Sequence, residues 1–117
     1  MDYIQDSGHG WFKVKIDALV KLGIAEQISG YSYWRGDWAY LEEDCDASRY
    51  FAALTAAGKP MPKIVDKVAR ERPSKVRHYK SFVWSIIRER RAAASLGAAA
   101  GASPSWTRDH LLVVHVR

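Results

Sequence analysis

The amino-acid sequence predicts an α+β domain in which a small antiparallel sheet of three or four strands packs against several helices. Short alternating segments dominate the first half of the chain, and apolar residues at helical spacing dominate the second half. The 117 residues fit one compact domain, and a hydrophobic fraction of 48% is enough for a packed core. The predicted strands are 10–16, 31–35, 38–42 and, as a possible fourth, 110–116; the predicted helices are 17–28, 47–57, 61–72 and 74–95.

The first strand and helix follow from residues 10–23. Phe12, Val14 and Ile16 alternate with polar or aromatic neighbours, which is typical of a strand with one face on the core. Asp17 then suits a helix N-cap, because its carboxylate can accept a free backbone N–H. Gly23 suits the left-handed residue that ends a helix.

Residues 31–42 predict a β-hairpin, because aromatic residues flank a Gly36-Asp37 turn. This turn pairs Arg35 with Trp38, Trp34 with Ala39, Tyr33 with Tyr40, and Tyr31 with Glu42. The smaller and more apolar face is assigned to the core: Ser32, Trp34, Ala39 and Leu41. The other face is predicted to be a partly exposed aromatic surface: Tyr31, Tyr33, Arg35, Trp38 and Tyr40. A slip of one residue would exchange the two faces.

The later helices are predicted from caps and apolar stripes. Asp46 is the predicted N-cap of helix 47–57, which Gly58 ends. Pro73 ends helix 61–72, and Ser74 caps helix 74–95. The last helix carries the clearest apolar face of the chain: Val76, Tyr79, Phe82, Val83, Ile86 and Ile87.

We predict a single domain over residues 1–91, followed by an Ala/Gly/Ser-rich segment over 92–103. The small residues of that segment indicate a fraying helix end and a linker. Residues 104–117 are either a strand added to the sheet or a loosely attached tail.

The composition excludes several classes of protein. A single cysteine excludes an internal disulfide framework and a Cys-rich zinc module. No apolar run reaches the ~18 residues of a membrane span, and no secretory signal is visible. We therefore expect a cytoplasmic protein of the host cell, with no membrane contact, no cofactor and no metal.

The net charge of +5 is unevenly distributed. Residues 1–58 contain nine carboxylates and five cations, which gives −4, and they also contain ten of the fourteen aromatic residues. Residues 59–91 contain eleven cations and three carboxylates, which gives +8. The chain therefore joins an acidic, aromatic first half to a basic second half.

The acidic run at the end of the hairpin, which consists of Glu42, Glu43, Asp44 and Asp46, has three interpretations. Its carboxylates can be a solvated strand end with a helix cap, a surface for a basic partner, or oxygen ligands for a hard cation, although the EF-hand spacing is absent. The aromatic hairpin next to it can form a sheet core, bind a protein or stack nucleobases. Together they give the predicted partner-binding set: Tyr31, Tyr33, Arg35, Trp38, Tyr40, Glu42, Glu43, Asp44 and Asp46.

The sequence shows no set of acid, base and nucleophile residues that would come together in a catalytic site, so we do not expect an enzyme. Cys45 lies among carboxylates, which oppose activation of a thiol. His110 and His115 would face opposite sides of a strand and cannot share a metal.

The basic half also has three interpretations: a solvated helical surface, a nucleic-acid contact, or a contact with an acidic protein, including the acidic half of a second copy in a homodimer. The predicted nucleic-acid-binding set is Lys63, Lys67, Arg70, Arg77, Lys80, Arg88, Arg90 and Arg91.

Four motifs support a resemblance over about residues 7–55. They are GHGW at 8–11, LGIA at 22–25, YSY at 31–33 and YLEEDCD at 40–46. The pattern resembles a small, largely uncharacterised family carried by phages, plasmids and other mobile elements. The family supplies no catalytic residues that can be transferred to this chain.

The resemblance implies an accessory protein of mobile DNA, a class in which many members disarm host defences. It implies a non-enzymatic protein that binds a host defence protein or ribonucleoprotein, such as a CRISPR effector, and blocks it sterically. The alternative is a nucleic-acid-binding accessory or regulatory protein that uses the basic residues 63–91.

Overall fold

The computed structural model of the chain describes residues 1–68 and 74–102, and these residues form an α+β structure. The predicted class is confirmed, but the described sheet has six strands rather than three or four. The strands are β1 (Asp2–Gln5), β2 (Gly10–Lys15), β3 (Tyr33–Arg35), β4 (Trp38–Glu42), β5 (Val65–Val68) and β6 (Lys80–Ser81). The helices are α1 (Ile16–Lys21), α2 (Asp46–Ala56) and α3 (Trp84–Ala102), and 3-10 turns lie at Ala25–Gln27 and Lys75–His78. The sheet belongs to one compact unit, Met1–Trp84, and a second unit begins at Ser85.

The strands form one mixed sheet in the order β5-β1-β2-β4-β3-β6. β5 is parallel to β1, and the other neighbouring strands are antiparallel. The predicted helix 61–72 is wrong over Val65–Val68, because these residues form β5. A short apolar segment does not distinguish a strand from a helix. The deciding factor is the open edge of β1, where the Val65 N–H donates to the Met1 carbonyl at 2.9 Å.

The hairpin prediction is confirmed in its turn and in three of its four predicted pairs. Tyr33, Trp34 and Arg35 pair with Tyr40, Ala39 and Trp38 as predicted. Gly36 adopts a φ of +59°, which the two-residue turn favours and which only glycine adopts easily. The fourth predicted pair, Tyr31 with Glu42, is wrong because β3 begins at Tyr33 and Glu42 pairs with Trp11 of β2.

One face of the sheet packs against α2. The rings of Phe12 in β2 and Phe51 in α2 meet edge to face with centroids 5.1 Å apart. Val14, Ala39 and Leu41 share this face with Phe12 through the strand register, and all three are buried.

The predicted core residues Ser32, Ala39 and Leu41 are buried and Trp34 is half-buried, while Tyr40 of the predicted exposed face is buried as well, so that part of the prediction is wrong. The predicted helix 47–57 is confirmed as α2, whereas the predicted helix 17–28 is wrong in its length: α1 ends at Lys21 and a separate 3-10 turn follows.

The opposite face, here called the aromatic face, holds a second core. Trp11, Tyr40 and Val76 are buried together there, with Tyr33 and Tyr79 packed against them. Val76 belongs to residues 74–79, here called the 74–79 segment, which consists of Ser74, the 3-10 turn Lys75–His78 and Tyr79. Burial raises the pKa of the Tyr40 hydroxyl, consistent with its enclosure under this segment.

The 74–79 segment corrects the predicted helix 74–95. Ser74 does act as a cap, since its side chain accepts the Val76 N–H, but it caps a 3-10 turn. β6 follows, and α3 begins only at Trp84. The spacing of Val76, Tyr79 and Phe82 resembles a helical stripe, yet it arises from a turn followed by a strand. Within α3 the helix continues through Ala102, across most of the alanine-rich segment.

Two predicted helix caps are wrong by one or two positions. The N-cap of α1 is Lys15, and Asp17 lies in the first turn. The N-cap of α2 is Cys45, and Asp46 is the first helical residue. Gly23, with a φ of +72°, follows α1 as predicted. The predicted strand 110–116 lies outside the described residues.

Replacement of Gly10 by alanine is predicted to destabilise the protein. A Cβ atom at Gly10 would overlap the phenol ring and oxygen of Tyr3, which packs on Phe12 at 4.6 Å between centroids. Forced displacement of a packed ring costs about 1–3 kcal/mol of unfolding free energy. Urea denaturation measures the loss. The matched control is Gly30→Ala, where the added methyl group meets no atom within 4 Å; equal losses in both variants would contradict the packing argument.

Candidate binding cleft

A cleft of about 410 Å³ lies where the aromatic face meets the loops before β2, β3 and α2. Its lining residues come from β2, β3 and β4, from these three loops and from the 74–79 segment. Its lining residues are His9, Trp11, Gly30, Tyr31, Tyr33, Glu42, Asp44, Cys45 and Arg77.

One wall of the cleft is fixed by an ion pair between Asp6 and Arg77. The Arg77 Nε–H and Nη2–H donate to the two carboxylate oxygens of Asp6 at 2.7 and 2.9 Å. The Asp6 side chain is 1% exposed and the Arg77 side chain 30% exposed. The backbone N–H groups of Gly8, His9 and Ser74 also donate to this carboxylate. Every oxygen of the buried carboxylate is therefore satisfied.

The Asp6 environment fixes its charge. The Arg77 guanidinium holds the pKa of the Asp6 carboxyl well below its usual range; burial opposes this shift, and the three backbone donors support it. Asp6 is therefore ionised wherever the protein is folded near neutral pH. Its negative charge balances Arg77, and the other carboxylates of the cleft lining are those of Glu42 and Asp44.

The aromatic wall of the cleft is built around Trp11. The Arg77 guanidinium lies 5.4 Å from the Trp11 ring centroid, and the Tyr33 ring meets Trp11 edge to face at 6.1 Å. In the described part of the chain, Trp11 Nε1 is the one buried side-chain polar atom without a hydrogen-bond partner. Tyr31 stands at the mouth and is 75% exposed. The cleft thus has a buried aromatic residue at its base and an exposed one in its lining.

The Glu42 carboxylate contacts two other residues of the cleft, Asp44 and His9. Its Oε1 accepts the backbone N–H of Asp44 at 2.8 Å, and its Oε2 lies 3.7 Å from His9 Nδ1. The side chain is largely buried, while His9 and Asp44 are exposed. The exposed carboxylate of the cleft is therefore that of Asp44.

Asp46, which was predicted to face a partner, is completely buried. Its carboxylate accepts the Ser29 backbone N–H at 3.0 Å, the Ser29 hydroxyl at 2.7 Å and the Ser32 hydroxyl at 2.5 Å. Ser32 Oγ in turn accepts the Glu42 backbone N–H at 3.0 Å. Arg49 lies 3.4 Å from the same carboxylate. Asp46 therefore ties the start of α2 to the loop before β3, and it is not part of the accessible surface.

Glu43 is also used within the fold. Its carboxylate accepts the hydroxyl proton of Tyr3 across the sheet. Burial raises the pKa of Tyr3 to about 12, and the bond to Glu43 adds to the shift, so the phenol remains a donor. Of the four carboxylates in the predicted acidic surface, Asp44 alone is both exposed and in the cleft lining.

The cleft also brings His9 and Cys45 to one site. Cys45 Sγ lies 3.8 Å from Ser29 Oγ and 3.8 Å from Asp46 Oδ1. These two contacts join the thiol to a hydroxyl and a carboxylate, and a carboxylate does not stabilise a thiolate. In the described residues, no group of three or more His, Cys, Asp or Glu side chains is arranged to hold a metal ion.

The predicted partner-binding residues are divided between two ends of the aromatic face. Tyr31, Tyr33, Glu42 and Asp44 line the cleft. Arg35 and Trp38 lie at the other end, beside Lys13 and Lys15 of β2. Tyr40 lies between the two ends and is buried in the second core.

Sequence reasoning missed Trp11 and Arg77 as parts of the cleft. Trp11 alternates with the predicted core residues of β2, and this pattern placed it on the solvent side. No local signal links Arg77 to Asp6, because the two residues are separated by 71 positions. The GHGW motif at 8–11 is the sequence feature that coincides with the cleft, since His9 and Trp11 both line it.

The predicted nucleic-acid-binding residues do not form one helical surface. Lys63 and Lys67 lie at or beside β5, and Lys80 lies on β6, at the opposite edge of the sheet. Arg77 is paired with Asp6. Arg88, Arg90 and Arg91 lie on α3, and Arg70 lies outside the described residues.

Replacement by alanine is predicted to lower the unfolding free energy strongly at Asp46 and hardly at all at Asp44. Asp46→Ala leaves the Ser29 and Ser32 donors buried without their acceptor, which costs about 3 kcal/mol or more of unfolding free energy. Asp44→Ala removes an exposed carboxylate and should change stability by less than about 0.5 kcal/mol. Thermal and urea denaturation measure both variants. Similar stability of the two would contradict the structural role of Asp46.

Comparisons of the chain with models of protein families, with curated proteins and with solved structures find no match. Within residues 1–68 and 74–102, none of the helices has the length and apolar content needed to cross a bilayer.

Proposed function

We propose that the protein is a non-enzymatic inhibitor, carried by a mobile element, that binds a host defence complex and blocks it sterically. A CRISPR effector is the proposed class of target. The observation that carries the proposal is the cleft, whose lining combines the aromatic residues Trp11, Tyr31 and Tyr33 with the carboxylates of Glu42 and Asp44. The resemblance of residues 7–55 to a family of mobile elements supports the setting.

The chemistry of the cleft favours a cationic side chain of a partner protein. Carboxylates bind a guanidinium or ammonium group by charge-assisted hydrogen bonds. Aromatic faces attract the same groups, most strongly where water is excluded. Arg77 does not oppose such a cation, since its charge is balanced by Asp6. The cleft is therefore suited to an arginine or lysine that projects from the partner.

Such side chains line the surfaces with which proteins hold nucleic acid. A partner arginine held in the cleft would be unavailable to a phosphate, and the bound protein would cover the surface around it. The inhibition proposed here is thus competition with nucleic acid for a basic groove.

Tyr31 is suited to be the main contact at the rim. It is a large aromatic residue, is 75% exposed and stands beside the anionic part of the cleft. Residues of this type dominate the energetics of many protein interfaces, because they bury a large area and lose little rotamer freedom. The neighbouring Asp44 supplies the charge.

We predict that Tyr31→Ala and Asp44→Lys each weaken binding and inhibition by about tenfold or more. The measurement is the inhibition of target-DNA binding and cleavage by purified, guide-loaded CRISPR effectors, together with the equilibrium affinity for each effector that responds. An effector already loaded with target DNA should bind the protein more weakly, because its basic groove is occupied.

The matched control is Glu26→Lys, which reverses an exposed carboxylate in the Ala25–Gln27 turn, outside the cleft lining. It should inhibit like the wild-type protein. If Tyr31→Ala and Asp44→Lys also inhibit like the wild type, the cleft is not the contact surface. If the wild-type protein neither binds nor inhibits across the panel of effectors, the proposed function is wrong.

A further inference from the structure

The end of the aromatic face away from the cleft is basic. Lys15 of β2 and Arg35 of β3 are both direct register partners of Trp38 in β4, so the three side chains form one row across three strands. Lys13 belongs to the next row of the same face, opposite Tyr40. These four residues, Lys13, Lys15, Arg35 and Trp38, are here called the basic platform.

The cations of the platform gather around aromatic rings. Lys13 Nζ lies 4.4 Å and Lys15 Nζ 5.0 Å from the Trp38 ring centroid. The Arg35 guanidinium lies 5.3 Å from the Tyr79 ring. Lys15 and Arg35 are exposed, while Lys13 and Trp38 are half-buried. The nearby carboxylates are Asp37 in the hairpin turn and Asp2, whose charge acts on the neighbouring Tyr40 hydroxyl. Asp2 is itself 4.0 Å from Lys67, so the three cations of the platform keep the local charge positive.

We propose that the basic platform binds single-stranded nucleic acid, with a base stacked on the Trp38 indole and the neighbouring phosphates on Lys13, Lys15 and Arg35. Aromatic residues on an open sheet face stack unpaired bases, and flanking cations follow the backbone. The flexible lysine side chains can leave the ring for phosphate oxygens when a base takes their place on the indole.

A single strand fits this surface better than a duplex does. Base readout in a duplex major groove uses a helix or a two-stranded ribbon that fits inside the groove, whereas the platform is a row of side chains across three adjacent strands. The bases of a single strand are free to turn toward an indole. The acidic cleft at the other end of the face repels phosphates, so we expect a short footprint confined to the platform.

This inference does not depend on the proposed binding of a defence complex, since no residue of the platform lines the cleft. It also differs from the nucleic-acid-binding set predicted from the sequence, which contains none of the four residues. Lys13 and Lys15 lie on one strand, Trp38 lies on another, and the register between β2 and β4 brings the indole beside the two lysines.

The test is fluorescence anisotropy of short labelled oligonucleotides with the full chain, over a series of salt concentrations. The probes are an oligothymidine, the corresponding oligouridine and a DNA duplex of equal length. We expect the single strands to bind more tightly than the duplex, with affinity that falls as salt rises. The two single-stranded probes show whether DNA or RNA is preferred.

Two variants separate stacking from charge. Trp38→Ala should weaken binding to single strands by about tenfold. The double variant Lys13→Ala/Lys15→Ala should reduce the slope of log affinity against log salt by about 1.4, the value for two lost phosphate contacts on a single strand. This second variant leaves the indole in place, so a folding defect caused by the loss of Trp38 does not obscure the result.

The matched control is Lys21→Ala/Lys59→Ala, which removes the same charge from two exposed lysines outside the platform. This control variant should bind single strands with the affinity of the wild-type protein, and the slope of log affinity against log salt should stay close to the wild-type value. The proposal is overturned if no single strand binds at the lowest salt, if the duplex binds as tightly as the single strands, or if the control loses as much affinity as Lys13→Ala/Lys15→Ala. Circular dichroism of each variant confirms that the fold is retained.

Discussion

The ion pair between Asp6 and Arg77 is the interaction on which the aromatic face depends. It joins the loop between β1 and β2 to the 74–79 segment, and it buries a carboxylate that four donors satisfy: the Arg77 guanidinium and three backbone N–H groups. With the segment held in place, Val76 covers Trp11 and Tyr40, and Arg77 forms a wall of the cleft. A buried carboxylate that lost this partner would be strongly unfavourable, so the second core and the cleft depend on the same contact.

The aromatic face combines two opposite electrostatic surfaces on one sheet. At one end, the acidic cleft presents Glu42 and Asp44 among aromatic rings, which favours a cationic group of a protein. At the other end, Lys13, Lys15 and Arg35 surround Trp38, which favours phosphates and bases. Tyr40 and Tyr79 separate the two ends, in ring contact at 5.0 Å. The division between an acidic and a basic half of the sequence therefore does not match the division of surfaces, because both ends use residues of the acidic half.

Local patterns were sufficient for part of this fold. The alternation in β2, the Gly36-Asp37 turn and the pairs from Tyr33 to Tyr40 all depend on residues close in sequence, and they agree with the structure. Interactions between distant residues decided the rest. Val65–Val68 pairs as a strand with the distant β1, and the 74–79 segment lies on the sheet, where Arg77 binds Asp6 and Val76 packs with Trp11 and Tyr40. The same reason explains the cleft: the acidic run was visible in the sequence, but the burial of Asp46 under two serines was not.

A double-mutant cycle on Asp6 and Arg77 tests the central claim most directly. Asp6→Asn and Arg77→Met remove the ion pair with little change in side-chain size, and the free energy of unfolding of the two single variants and the double variant is measured in urea. If the pair holds the 74–79 segment on the sheet, the two changes are not additive, and the coupling energy is about 1–3 kcal/mol. Additive losses, with a coupling energy near zero, would show that the segment is held by other contacts and would contradict the account.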